Sequence, residues 1–227
     1  GAFVRYPLEA LDGSLTMAGR LGYPAVLMSL LLDEASLTYW DYQARLDFPA
    51  TGGDWTVFAF GSMDHLKTMD YDTGEMVSTA RSHFHRIEAR HERRSGRSLD
   101  RYQFLLGAEE LGADELASLW DYDIAPRLRW ERPLTDDITL RWGGDGLLRL
   151  FRGTQTSDDI EGVRISVSSH LLNMGVWIDM PWPLGHDLLI VPGLRLDLYD
   201  NEADTLVDAD PRLMLRYRAT RLEHGDV

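Results

Sequence analysis

The stretch Leu37-Thr38-Tyr39-Trp40-Asp41-Tyr42-Gln43-Ala44-Arg45-Leu46-Asp47-Phe48 changes character at every step. Thr38, Trp40, Tyr42, Ala44, Leu46 and Phe48 hold the even positions, while Tyr39, Asp41, Gln43, Arg45 and Asp47 hold the odd ones from 39. Successive side chains of a strand point to opposite faces, so a period of two predicts a strand with one apolar and one charged face; a helix would repeat every 3.6 residues. The split recurs in Ile124, Pro126, Leu128 and Trp130 against Arg127, Arg129 and Glu131, and in Ile138, Leu140 and Trp142 against Thr139, Arg141 and Asp145. It returns in Met174, Val176, Ile178, Met180 and Trp182 against Asp179, and in Ile190, Pro192, Leu194, Leu196 and Leu198 against Arg195 and Asp197. A last run sets Pro211, Leu213, Leu215 and Tyr217 against Arg212, Arg216 and Arg218.

Polar turns rich in Gly, Pro, Asp and Ser sit at 11–14, 50–54, 93–98, 133–137 and 183–187, and longer segments at 21–36, 67–79, 109–118, 151–164 and 199–209. Short and long connections alternate, with no helical period between strands long enough for a parallel crossover. The expectation is an all-β, antiparallel, up-and-down arrangement of about 11 strands.

Composition narrows what such a sheet does. The chain has 227 residues, 44% of them hydrophobic, and no cysteine, which removes disulfides and thiolate chemistry. With 23 basic residues against 37 acidic, the net charge is -14, so no nucleic-acid partner is expected. The longest run without Asp, Glu, Lys or Arg is Ile165 to Ile178, 14 residues, short of the roughly 20 that a membrane-spanning helix needs. There is no basic-then-apolar leader at Gly1. Two architectures accommodate the alternation. A soluble sandwich packs its apolar faces together, whereas a transmembrane barrel turns them to lipid and keeps a polar lumen. Three features favour the barrel. Arg and Asp or Glu crowd the polar face; Trp40, Trp55, Trp120, Trp130, Trp142, Trp177 and Trp182 lie mostly toward strand ends; and loop length differs by side.

Two stretches then resemble the barrel of TonB-dependent outer-membrane receptors. Gly19-Arg20-Leu21-Gly22-Tyr23-Pro24 through Tyr39–Phe48 is similar to an early strand, loop and strand of that family. Val191-Pro192-Gly193-Leu194-Arg195-Leu196-Asp197, followed by Asp210-Pro211-Arg212-Leu213-Met214-Leu215-Arg216-Tyr217, resembles a recurrent pair of its strands. The resemblance implies uptake of a scarce solute such as a ferric siderophore. It also implies a plug domain, an inner-membrane TonB energising protein and a small-molecule ligand as partners, with outer-membrane lipid and lipopolysaccharide around the wall of a Gram-negative bacterium. Family barrels have 22 strands; here about half are expected and no plug-like region occurs, so residues 1–227 are expected to form a partial barrel domain. Arg221–Val227 reads as a turn.

On this reading Asp41, Arg45, Asp47, Arg127, Arg129, Glu131, Arg141, Asp179, Arg195, Asp197, Arg212 and Arg216 line the lumen. Trp40, Tyr42, Leu46, Leu128, Trp130, Leu140, Trp142, Ile190, Leu194, Leu196, Leu213 and Leu215 face lipid. His83, His85 and His91 share a face, but Arg81, Arg90, Arg93 and Arg94 oppose a cation there, and no metal site is assigned. Ser166, Ser168 and His170 alternate on one face without a nucleophile elbow or an evident acidic partner, so no catalytic residue, enzyme activity or cofactor is expected. The long segments are acidic (Asp70, Asp72 and Glu75; Glu109, Glu110, Asp114 and Glu115; Asp158, Asp159 and Glu161; Asp200, Glu202, Asp204, Asp208 and Asp210), a composition that suits exposed loops or a divalent bridge to lipopolysaccharide. Pro24–Leu32 is unexpectedly apolar for a loop. The other readings are a passive porin-like or adhesive barrel and a soluble β-sandwich binding module. Replacing Leu194 or Leu213 by Arg is expected to cost roughly 2–4 kcal/mol at mid-membrane, measured by urea unfolding of the folded protein in lipid, and Arg195→Gln little. Equal tolerance on both faces overturns the barrel.

Overall fold

The computed structural model describes residues 1–22, 34–113, 117–156 and 164–218. The strands are β1 (Ala2–Leu8), β2 (Gly13–Leu21), β3 (Ala35–Ala50), β4 (Gly53–Met69), β5 (Met76–Ser95), β6 (Ser98–Ala113), β7 (Ala117–Pro133), β8 (Thr139–Thr156), β9 (Arg164–Asp179), β10 (Trp182–Leu184), β11 (Leu188–Asp200) and β12 (Thr205–Tyr217). All twelve join one sheet, each pairing antiparallel with its neighbour in sequence except that β11 takes both β9 and β10. β10 is a resumption of β9. The Met180 amide donates to the Pro192 carbonyl at 3.0 Å, so Met180–Pro181 interrupts one span without ending it, and eleven spans result.

Two-residue turns fix two of the registers. Gly52, at φ +90°, closes Ala50 against Gly53, and Gly96, at φ +58°, closes Ser95 against Ser98. A side chain at either would meet a left-handed backbone that only glycine adopts cheaply. Asp12 takes the same region to end a single 3₁₀ turn, Glu9–Leu11. No helix among the described residues is long and apolar enough to cross a membrane.

The sheet has no second layer against it among the described residues. Leu99 and Val191 are its only buried hydrophobic residues, and no side chain is fully enclosed. The accessible surface is 16213 Å², against about 10,500 Å² for a folded soluble chain of this mass. No sandwich interior forms among the described residues.

The connections are shorter than the sequence suggests. Lys67–Met69 and Met76–Thr79 belong to β4 and β5, Glu109–Ala113 to β6 and Phe151–Thr156 to β8, so strand pairing runs on through most of the segments expected to be loops. Hydroxyl pairs sustain it: Ser118 with Thr154 at 2.7 Å, and Thr68 with Thr79 at 2.6 Å. Pro24–Leu32, Asp114, Glu115, Asp158, Asp159, Glu161 and Arg221–Val227 lie outside the described residues. β1 and β12 are the two edges of the sheet and do not pair with each other.

Candidate functional site

Antiparallel partners point to the same side, so the registers sort side chains into two faces, with one register shift between β4 and β5 at Leu66/Lys67. The row Leu128–Gly144–Val176–Leu196–Ala209 and the row Trp130–Trp142–Ile178–Leu194–Pro211 lie on one face. The row Arg129–Gly143–Trp177–Arg195–Asp210 lies on the other. Carried across the sheet, this puts all twelve expected lumen residues, from Asp41 to Arg216, on one charged face. It puts Trp40, Tyr42, Leu46, Leu128, Trp130, Leu140, Trp142, Ile190, Leu194, Leu196, Leu213 and Leu215 together on the opposite, apolar face.

The charged face is a field of ion pairs, some across strands and some between residues two apart on one strand. Arg195 meets both carboxylate oxygens of Asp145 at 2.8 Å and takes Asp197 as well. Arg149 is bidentate on Asp123 at 2.7 and 3.1 Å, and Arg86 reaches Glu109 at 3.3 Å and Asp123 at 3.6 Å. Arg141 pairs with Asp179 at 2.5 Å, Arg129 with Glu131 at 2.6 Å, Arg101 with Glu92 at 2.6 Å, Arg45 with Asp47 at 2.7 Å and Arg212 with Asp210 at 2.7 Å. Planar guanidinium forks suit such bidentate pairing. Arg195 fits only because Gly175 lies beneath it: a Cβ there would fall on the guanidinium.

Several members of this network were not singled out from the sequence: Arg86, Glu92, Arg101, Asp121, Asp123 and Arg149. The signal was present in Arg86-Ile87-Glu88-Ala89-Arg90-His91-Glu92, where charges recur every second residue. It is masked by three histidines on the intervening face. Phe58, Phe60 and Phe84 also lie on the charged face, with ring centroids 5.2 and 5.9 Å apart in succession. They line a hollow of about 570 Å³ with Arg20, Asp41 and Gln43.

Two rows of rings cross the apolar face. One runs Trp55–His91–Tyr102–Trp130–Trp142, with successive centroids 4.9, 6.0, 6.1 and 6.0 Å apart. The other runs Trp40–Tyr42–His85–His83–Trp120–Tyr122, with spacings between 5.7 and 6.2 Å. Between them stand Val57, Ala59, Ile87, Ala89, Phe104, Leu106, Ile124, Pro126 and Leu128. On β5 the rows are His83 and His91, eight residues apart, which is about 26 Å along the strand or about 20 Å of height at a ~40° tilt.

The remaining candidates sort as follows. His83 and His85 are neighbours in one row, but His91 belongs to the other, and His85 Nδ1 sits 3.0 Å from the Tyr42 hydroxyl. No group of three metal-ligating side chains comes together among the described residues. His170 does have acidic partners that the sequence spacing did not show, Glu202 at 2.8 Å and Asp200 at 3.7 Å, both reached from the next hairpin. Of the acidic residues, Asp70 accepts from the Asp72 and Thr73 amides at 2.8 and 3.1 Å and so shapes a turn. Beside it the Tyr71 hydroxyl donates to Glu34 at 3.0 Å, and the carboxylate raises the phenol above its usual range.

Arg195→Gln is now expected to cost about 1–3 kcal/mol, because it leaves Asp145 and Asp197 facing each other, and not the small amount read from the sequence alone. Gly175→Val should displace the same guanidinium and match that loss. Urea unfolding in lipid measures both, and a wild-type midpoint in either variant overturns the assigned role of the pair.

No protein-family model matches the chain, and no curated protein does. Solved structures do. The chain is similar to one in the complex of FpvAI with pyocin S2, at 12% identity and TM-score 0.61, covering 92% of this chain and 37% of that one. It is similar to the copper transporter OprC at 12% identity and TM-score 0.60, covering 93% and 39%. It is also similar to the siderophore receptor PirA from Pseudomonas aeruginosa at 14% identity and TM-score 0.55, covering 93% and 38%. The chain thus spans about two fifths of the length of the chains it matches. Its fold is that of part of the barrel wall of TonB-dependent receptors.

Proposed function

We propose that this chain forms part of the wall of a TonB-dependent receptor in the outer membrane of a Gram-negative bacterium. The carrying observation is the pair of aromatic rows bracketing an apolar band, on the face opposite the ion pairs. A bilayer imposes that pattern: rings favour the two interfaces, and the hydrocarbon between them accepts no charge. The charged face then lines the lumen and meets a plug domain. The transported solute is a scarce one of the ferric siderophore class, captured at the long hairpins and drawn past the plug with energy from an inner-membrane TonB protein. PirA's description as a siderophore receptor and OprC's as a copper transporter support this direction.

The open edges carry a further requirement. β1 and β12 both run toward the rim of the short turns, so they cannot close on each other antiparallel. An odd number of additional spans is needed to complete the wall, and with eleven here the total is even, as in bacterial barrels.

Two measurements test these points. In vesicles of brominated lipid, single-tryptophan variants of the whole receptor retaining Trp130 or Trp142 should be quenched by the lipid, and one retaining Trp177 should not. Equal quenching of Trp177 overturns the facing. Cells carrying the intact gene should accumulate at least one of a panel of radioiron-labelled ferric siderophores only when TonB is present. Uptake that persists without TonB favours a passive porin-like barrel, and uptake of none removes the siderophore class.

A further inference from the structure

The charged face loses its charge toward the long hairpins. Beyond the row that holds Glu109 and Asp121, the next row on the same face runs through Asp64, Ser82, Leu111, Leu119, Gly153 and Val167. The row after it carries Leu37, Leu66, Ala80, Ala117 and Ile165. Together these two rows line a hollow of about 520 Å³. Arg81 reaches its edge from the opposite face, where Glu110 holds it at 2.5 Å. The hollow exists because small residues form its floor between branched ones. Gly153 does not have the left-handed backbone that calls for glycine, and a Cβ there would meet nothing nearer than Leu119 Cδ1 at 3.8 Å. A side chain at 153 would therefore occupy open space in the hollow and leave the wall undisturbed. Every hydrophobic side chain in the lining is aliphatic, whereas Phe58, Phe60 and Phe84 line the hollow lower on the same face. Asp64 is the one carboxylate of the lining among the described residues, with Ser82 opposite it in register.

We infer that this hollow binds a solute with an aliphatic chain and a protonated amine, the chain against Leu111, Leu119, Ile165 and Val167 and the ammonium at Asp64. The inference rests on the transport reading above and narrows its solute to an amphiphilic, amine-bearing chelate. The occupant follows from place and chemistry. On that reading the face lines a lumen, so bilayer lipid lies against the other side and a second copy of the chain has no access, while a solute captured at the long hairpins passes over it. A hollow of this size with an apolar lining and a single polar group at its edge is the form that small-molecule sites take. From Leu111 on β6 to Val167 on β9 is three strand spacings, about 14 Å, room for an extended chain. Charge complementarity selects the head. Arg86 and Arg149, the nearest cations deeper on this face, are taken by Glu109, Asp121 and Asp123, so Asp64 and the acidic row below it present a negative edge to the hollow.

The whole receptor in phospholipid nanodiscs is titrated with dansyl-ethylenediamine carrying an ethyl, hexyl or decyl chain on its amine, and dansyl emission is read against empty discs. Full burial of a methylene gives about fourfold in affinity and this wall covers one side, so affinity should rise about twofold per methylene and at least ~50-fold from ethyl to decyl. Gly153→Leu, which fills the hollow, should flatten that rise, and Leu119→Gln with Val167→Gln should flatten it likewise. Leu105→Gln, on the same face below the charged rows, should leave it unchanged. Asp64→Asn should weaken all three probes alike, about fivefold, and keep the rise. A rise that persists in both hollow variants, or that is missing from the wild type because the plug fills the hollow, overturns the chain site. Wild-type affinity in Asp64→Asn overturns the head. Quenching by brominated lipid in the same discs separates this inference from the reading beneath it: equal quenching of Trp177 strikes the facing, and a missing rise with the facing intact strikes this site alone.

Discussion

On the proposed outer-membrane reading, a backbone amide facing hydrocarbon has no water to bind, and the single-layered ladder of this sheet meets that constraint. Each strand must be paired on both sides along its length, so the chain folds as one unbroken antiparallel ladder from β1 to β12. With pairing supplied by neighbours in the same layer, no second sheet is required to cover it. Among the described residues, Leu99 and Val191 alone of the hydrophobic side chains are buried. What would be a stability defect in water fits the proposed wall, whose apolar side lipid would cover.

The polar side is held by a different interaction. Arg and Asp two residues apart on one strand, or opposite one another on adjacent strands, fall within reach because the period of two brings them to the same side. Arg195 illustrates the result. It ties β11 to β8 across β9, over the space left by Gly175. Asp123, 5% exposed, ties Arg149 of β8 and Arg86 of β5 across β6 and β7. These bridges stiffen the wall transverse to the strands, the direction in which only backbone hydrogen bonds otherwise act.

The two faces were legible in the sequence because parity survives any error in strand ends. Trp40 and Asp41 sit on opposite sides whether β3 begins at Ala35 or at Leu37. Connection lengths were less legible. Ser118, Thr154, Thr68 and Thr79 look like loop residues in one dimension, and only cross-strand pairing turns them into strand. The Trp55–Phe60 stretch hid its parity altogether, since Phe58 and Phe60 place apolar bulk on the charged face beside Val57 and Ala59 on the other. The partners of His170 could not be seen either, since Asp200 and Glu202 are 30 and 32 residues away and meet it only through the β9–β11 register.

The meander has a kinetic meaning as well. Every strand of the ladder pairs with its sequence neighbour, and two of the described turns are two residues long, so pairing proceeds through local closures at small entropic cost. Such a sheet is suited to grow one hairpin at a time, each new strand templated by the edge just laid down. The whole entropy of ring closure is then deferred to a single event, the docking of the last strand against the first. Until that event the growing wall always exposes two live edges, and a partly built sheet is at its most prone to pair with the wrong partner just before it is finished.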